Sequence, residues 1–367
     1  MAFLDINIEQ IQSNIGLLST YLKSHGIQWT FVVKVAAGNP IMLRELVSNK
    51  ILLENVHSIG GSHITSLRLI KSLDPKIRTM YIKPPAIAEI PQIIQYADIS
   101  LNTNFRTIAA LQREANKQGK IHQIIIMIEM GELREGILRE NVINFYQKVF
   151  RLPNIEVIGL GTNLGCMYGI EPTFDKLIQL SLFEQLIEAR FEQKLELVSG
   201  GSSITLPLIK KGKMPTGVNH FRIGEAVFFG TSPLDGKRFL NLNRDNFKFH
   251  ANIVELYRKD NVPDGTIGDA NIGHTSDSPV PRGQSYKAIL DFGILDTPHE
   301  HLTPVDPSVK FVGNSSDMTV YDLGQNSKGC HVGDDLTFKV DYMGVANLMN
   351  SKFIEKRIIQ SELSHPL

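Results

Sequence analysis

Over roughly the first 230 residues, short apolar runs alternate with amphipathic stretches of helical length. Trp29 to Val33 is apolar and rich in β-formers, and it stops at Lys34. Arg78 to Ile82 runs up to Lys83-Pro84-Pro85, and Ala97 to Leu101 stops at Asn102. Ile124 to Ile128 is unbroken and leads into Glu129 and Gly131. Ile155 to Leu160 gives way to Gly161-Thr162-Asn163, and Leu195 to Val198 gives way to Ser199-Gly200-Gly201. Between them, Pro40 to Lys50, Phe105 to Gln118 and Pro172 to Phe191 read as helices. Short, largely apolar strands separated by helices imply a parallel sheet buried on both faces. The repeat count approaches eight. The predicted fold class is therefore α/β, a (β/α)8 TIM-type barrel. An open, doubly wound sheet is the competing topology.

The pattern changes after about Gly236. Phe247 to Leu256, Ser285 to Leu290, Val309 to Phe311, Met318 to Leu323 and Asp335 to Val340 read as short strands. Turn residues such as Pro263-Asp264-Gly265 and Gly333-Asp334 separate them, and no long helical stretch intervenes. The expected division is a barrel over residues 1–235 and a mostly β C-terminal domain over 236–367. The last dozen residues are polar without periodicity and read as a surface helix end or a frayed tail.

Composition narrows the function classes. Lys plus Arg and Asp plus Glu are both 38, so net charge gives no reason to expect nucleic acid or an anionic membrane as partner. The two cysteines, Cys166 and Cys330, form no disulfide framework and no metal-ligand spacing, and no metal is expected. No apolar run reaches bilayer-crossing length and no secretory leader pattern is visible. A cytoplasmic protein is the expectation.

Three strand ends carry candidate chemistry, because catalytic groups of a barrel sit at the carboxyl ends of its strands. Lys34 ends the run Phe31-Val32-Val33. An apolar approach favours the neutral amine that a Schiff-base lysine needs, although a lysine in this place also simply reaches solvent. Ser199-Gly200-Gly201-Ser202-Ser203 offers amides and hydroxyls to an anion, or is an ordinary turn. His220-Phe221-Arg222-Ile223-Gly224-Glu225 sets a fixed cation beside a glycine, suited to a phosphate or a ring nitrogen, or to a surface ion pair.

Lys34, then Met130-Gly131-Glu132-Leu133-Arg134-Glu135-Gly136, then the Ser-Gly loop, then Arg222 with Gly224, follow one another on successive strand ends. This order resembles the fold-type III pyridoxal-phosphate enzymes, the alanine racemase superfamily. Gly131-Glu132-Leu133-Arg134-Glu135-Gly136, Gly161-Thr162-Asn163-Leu164 and Arg222-Ile223-Gly224-Glu225-Ala226 are similar to the ornithine and lysine racemase group. The resemblance runs from about residue 3 to residue 354.

It implies a pyridoxal 5'-phosphate-dependent amino-acid racemase acting on a free amino acid, basic (ornithine or lysine) or alanine, as a homodimer. Lys34 would hold the cofactor as a Schiff base and serve as one base. Arg222 would donate to the pyridine nitrogen. Ser203, Gly224 and Ser202 would contact the phosphate, and Asn163 would lie beside the ring. Arg134 would lie near the cofactor's phenolic oxygen and the substrate carboxylate.

The chain departs from that pattern at Asp269, Met127 and Phe353, while Asp317 keeps it. Asp269 stands where alanine racemases carry the tyrosine base of the opposite face, and is either a carboxylate base or a turn residue. Asp317 matches a place near the substrate carboxylate, or is a loop-end cap. Met127 replaces the lysine that is carbamylated in many alanine racemases, leaving Glu129 as the nearest group to orient Arg134. Phe353 replaces a phosphate-binding tyrosine, with Tyr342 as a candidate substitute. A non-catalytic pyridoxal-phosphate carrier or regulator and a decarboxylase of the same fold type are the alternatives. The β-rich domain argues against the first. Cys330-His331, where decarboxylases have Cys-Asp, argues against the second.

Overall fold

The computed structural model describes residues 1–268, 273–276 and 282–359. The chain divides into two compact units, one of Ile11–Arg244 and one of Met1–Gln10 with Asp245–Leu367. Strand β1 (Phe3–Asn7) belongs to the second. The next eight strands make the first: β2 (Gln28–Val32), β3 (Ser58–Gly61), β4 (Thr79–Tyr81), β5 (Ile99–Asn102), β6 (His122–Met127), β7 (Ile155–Gly161), β8 (Leu197–Ser202) and β9 (His220–Ile223). Each pairs in parallel with the next, and β9 closes on β2 with Thr30 opposite Arg222. The expected (β/α)8 barrel is the fold, and the open sheet is excluded by this closure.

The barrel interior can be read from its packing. Met80, Ile99, Leu101, Ile125, Met127, Ile158 and Leu197 form one buried cluster drawn from β4 through β8. Only side chains that point into the barrel can meet across so many strands. Met127 is part of this apolar fill. Thr30 Oγ1 reaches Met80 Sδ at 3.8 Å, so the β2–β9 side of the interior carries polar groups against the same core.

Helices cover the outside, and local chemistry starts them. Asn39 caps Pro40–Ser48 by accepting from Met42 N at 3.0 Å, with Pro40 in the first turn. Thr173 caps Phe174–Phe191 in the same way from Lys176 N at 3.2 Å. β3 escapes the apolar reading because two of its four residues are glycine. Among the described residues, no helix is long and apolar enough to cross a membrane.

The second unit is a mostly antiparallel sheet. Its further strands are β10 (Phe247–Asp260), β11 (His274–Thr275), β12 (Gln284–Leu290), β13 (Leu302–Pro304), β14 (Lys310–Asn314), β15 (Thr319–Asp322), β16 (Asp335–Val340) and β17 (Glu355–Ile359). The order β11-β14-β15-β12-β10-β1-β17 forms one path, and β16 pairs with β10 and with β13. Phe249, Phe292, Phe338 and Tyr321 form its aromatic core, with Phe249 edge-on to Phe292 at 5.0 Å.

A helix of 9 residues, Tyr342–Asn350, follows the strands read from the sequence, capped by Asp341, which accepts from Gly344 N at 2.8 Å. One reading of this part is corrected. Glu355–Ile359 is a strand rather than a helix end or tail, because β1 offers it a parallel edge from Phe3 to Asn7, and the remainder of the last dozen residues lies outside the described residues. A polar strand without alternation cannot announce such a partner.

Asn14, in the first helix, Ile8–Ser24, is polar and fully buried. Its Nδ2 donates to the carbonyls of Val227 and Asn243, each at 2.9 Å, and its Oδ1 accepts from Asn243 N at 2.7 Å. Asn14→Ala leaves these backbone groups unpaired. It should lower the unfolding free energy by about 3 kcal/mol, since a buried unpaired group costs roughly 1–3 kcal/mol. Urea denaturation reads this directly, and a loss below about 1 kcal/mol would show that water replaces the side chain.

Candidate active site

The strands of the barrel are parallel, so the segments that follow them share one rim. Arg222 lies on β9 just below that rim and is buried. Its Nη1 donates to the Ser199 carbonyl at 3.1 Å and to Ser199 Oγ, and its Nη2 donates to the Thr162 carbonyl at 2.6 Å. A guanidinium has five N–H groups. Three are committed to β8 and to the end of β7, and the other two have no hydrogen-bond partner among the described residues. Burial pulls Arg222 down to about 10, so it is a cation at neutral pH. The charges of Glu135 and Arg134 also act on it, with opposite sign.

Lys34 begins a short turn directly after β2, beside β9. Its neighbours Val33, Val35 and Ala36 are buried while Lys34 is exposed. Ala37 closes the turn in the left-handed region, donating to the Lys34 carbonyl. Ser202 and Thr205 cap one another in the turn after β8. Ser203 Oγ accepts from Ala226 N at 3.1 Å, which ties this turn to the one after β9. Gly224 has to be glycine, because a Cβ there would stand 2.9 Å from the Val32 carbonyl oxygen. Asn163 follows β7, and its Nδ2 is buried with no hydrogen-bond partner among the described residues. The barrel rim thus brings together Lys34, Asn163, Ser202, Ser203, Arg222 and Gly224.

Arg134 stands on the rim loop after β6, with a different partner from the one expected. Glu129 accepts from the amides of Gly131, at 2.7 Å, and Leu133, at 3.1 Å, and shapes its own loop. Arg134 pairs through Nε and Nη2 with both carboxylate oxygens of Glu135, and its Nη1 donates to Cys166 Sγ at 2.8 Å. Glu135 therefore orients Arg134 where Met127 has no charge to offer. Gly136 is forced by closeness, since its Cβ would fall 2.3 Å from Glu129 N.

Glu132 is the residue that sequence reasoning missed. It is buried and accepts from four amides: Cys166 at 3.1 Å, Met167 at 2.8 Å, Tyr168 at 3.1 Å and Ile170 at 2.8 Å. It fastens the rim loop after β6 to the one after β7. Burial works against its charge, but the amides overcome that and hold the carboxyl below the usual glutamate range.

Asp317 and Tyr342 belong to the other unit. Asp317 is exposed in the turn between β14 and β15, where it accepts from Ser316 Oγ at 2.8 Å. Tyr342 opens the helix capped by Asp341 and is half-buried. Phe353 is exposed. Asp269 lies outside the described residues.

The family model for the alanine racemase N-terminal domain matches residues 6–233, and the chain belongs to that family. An ornithine racemase of Acetoanaerobium sticklandii is 32% identical over 361 residues, covering 96% of this chain and 98% of the relative. A lysine racemase of Thermotoga maritima is 29% identical over 354 residues, covering 96% of each chain. The crystal structure of alanine racemase from Bartonella henselae with covalently bound pyridoxal phosphate shares the fold, with a TM-score of 0.72 at 16% identity, covering 98% of this chain and 99% of that one.

Glu132→Gln should loosen the clasp without unfolding the barrel. Amide exchange over residues 165–170 should rise about tenfold or more while β6 and β7 keep their protection. The carboxyl is depressed in the folded protein, so its stabilisation is complete above the ordinary glutamate pKa and is lost as pH falls through the folded value. The wild-type loop should loosen in that acidic window, after correction for intrinsic exchange rates. Equal protection in the variant would show that the carboxylate is not the fastener.

Proposed function

We propose that the protein is a pyridoxal-phosphate-dependent amino-acid racemase that removes and returns the α-proton of a free amino acid. The observation that carries this is the buried Arg222, anchored at the ends of two strands with two N–H groups uncommitted among the described residues, beside the strand that leads to Lys34. Full-length similarity to an ornithine racemase and a lysine racemase supports the reaction class.

The residues present fit the cofactor. Lys34 supplies the amine that holds it. The unpartnered Asn163 Nδ2 is a buried donor in want of an acceptor, beside the ring. Ser203 accepts from Ala226 N, so its own proton is left to donate to a phosphate oxygen, with Ser202 and Gly224 at the same corner. Tyr342 is assigned a supporting phosphate contact in place of Phe353. When bound, pyridoxal phosphate supplies stabilisation of the α-carbanion.

The chain's own groups do the rest. Arg222 is effectively never deprotonated, so it donates to the ring nitrogen and gives it no proton. That favours proton return at the α-carbon over reactions that need a longer-lived carbanion. Lys34 takes and returns the proton on one face. Asp269 and Asp317 are the candidates for the opposite base and for an anchor of a side-chain ammonium. Arg134, held by Glu135, faces the substrate carboxylate. We assign the protein to the cytoplasm, consistent with two cysteines outside any disulfide, and expect a homodimer.

The loaded protein should show the visible absorption band of lysine-bound pyridoxal phosphate, and Lys34→Ala should abolish it. A band that persists in the variant, trapped by borohydride, would assign the attachment to another lysine.

Incubation with single-enantiomer ornithine, lysine or alanine, followed by chiral chromatography, tests the reaction. Both enantiomers should accumulate. A charge-assisted contact to the side-chain ammonium contributes about 1.5–3 kcal/mol, so kcat/KM should favour the basic substrates by roughly one to two orders of magnitude. Protein that binds the cofactor and racemises none of them would refute the proposal.

A further inference from the structure

Behind Arg222 a line of hydrogen bonds runs through the barrel interior. Ser199 Oγ accepts from Arg222 Nη1 and lies 2.8 Å from His220 Nδ1. His220 Nε2 lies 3.0 Å from Thr30 Oγ1, and Thr30 Oγ1 lies 2.8 Å from Ser58 Oγ. Ser58 Oγ lies 3.2 Å from His57 Nδ1, and Arg78 Nη1 donates to His57 Nε2 at 2.6 Å. Thr30, Ser58, Ser199 and His220 are buried, and the two imidazoles meet edge-on at 5.2 Å.

An arginine stands at each end, and a guanidinium has no acceptor. Both ends of the line are therefore donors, and the protons inside it must be ordered to suit them. At one end His57 Nε2 presents a lone pair to Arg78, so His57 carries its proton on Nδ1 and donates to Ser58. Ser58 then donates to Thr30. At the other end Ser199 presents a lone pair to Arg222. If His220 also donated to Ser199, the buried Ser199 proton would have no acceptor in the line. With the proton on Nε2 instead, Ser199 donates to His220 and His220 donates to Thr30. The two directions converge on Thr30, whose own proton goes to Met80 Sδ at 3.8 Å. Every group is then satisfied.

We infer that Ser199 and His220 are positioning residues for Arg222, locked by this converging relay so that Ser199 only ever accepts from the guanidinium. The inference rests on the reading of Arg222 as the donor to the cofactor's ring nitrogen. Burial keeps both rings neutral, with His57 down at about 4, by desolvation first and the Arg78 charge second, and His220 well below its ordinary value. A neutral relay adds no second charge beside Arg222. It also fixes the plane of the guanidinium, and so the direction of its two remaining N–H groups.

The test reads tautomers and then function. Protein labelled with 15N-histidine, without and with pyridoxal phosphate, is examined by long-range 1H–15N correlation. His220→Gln and His57→Gln assign the signals by their absence. In the wild type, His220 should be the Nε2–H form by roughly tenfold or more, and His57 the Nδ1–H form. Ser199→Ala should shift the absorption maximum of the bound cofactor and lower kcat about tenfold with KM little changed, and Ser199→Thr should restore both. An Nδ1–H His220, or the same tautomer on both rings, overturns the relay and leaves the racemase reading standing. Ser199→Ala with a wild-type spectrum and kcat overturns the positioning role. Wild-type protein that binds no pyridoxal phosphate overturns the functional reading and this inference with it.

Discussion

The placing of one cation inside the barrel is the constraint on which the site depends. Taking a guanidinium out of water costs several kcal/mol unless each donor finds an acceptor. Arg222 meets that condition for three of its five N–H groups, with two carbonyls and a hydroxyl, and among the described residues no carboxylate bonds to it directly. The carbonyls belong to Thr162 and Ser199, at the ends of β7 and β8, so the cation binds three strand ends into one rim. Lys34 leaves β2 on the other side of β9, within the same register. The barrel is what makes this possible, because closure puts β9 between β8 and β2.

The rim is built in two pieces of different character. On the β8–β9–β2 side the groups are set by close backbone approach, as the contact at Gly224 and the Ser203–Ala226 bond show. On the β6–β7 side two long loops follow the strands, and the first is closed at its base by a bridge between Ile128 and Ile137. Beyond that bridge carboxylates hold them. Glu129 folds its own loop, Glu132 draws in four amides of the next, and Glu135 fixes Arg134. All three acids fall within seven residues of one another, and each has a different backbone or side-chain partner.

Much of this could be read from the chain itself. Short, largely apolar runs that stop at Lys34, at Asn102 and at Gly161-Thr162-Asn163 announce parallel strands and mark their ends. Arg222 and Gly224 stand out only in combination with Lys34, the Gly131–Gly136 stretch and the Ser-Gly loop, because an isolated arginine fits a surface ion pair equally well. The strands that went unread are those whose residues do not advertise a face. β3 is half glycine, and β17 is polar with a partner 350 residues away. Glu132 and Glu135 were hidden for a different reason. Five consecutive positions from Gly131 to Glu135 include two acids and a base, and nothing in their spacing says which carboxylate turns inward. The assignment of Glu129 to Arg134 failed on that point. The relay of Ser199, His220 and Thr30 was equally out of reach, since it joins residues on β2, β8 and β9 that only closure makes neighbours.

The choice of neutral partners for Arg222 also limits the chemistry. An aspartate or glutamate in place of Ser199 would compensate the buried charge more strongly, and at the same time would draw the guanidinium away from the mouth. A protonated histidine there would repel it. A serine hydroxyl whose proton is committed elsewhere does neither. It accepts one bond, carries no charge and leaves the cation's field directed at the ligand position. Burial acts most strongly on Arg222, and the charges of Glu135 and Arg134 act on it with opposite sign. A barrel that keeps one uncompensated donor cation at its mouth is suited to hold an acceptor nitrogen unprotonated, which is the condition under which proton removal and return at one carbon is favoured over further reaction.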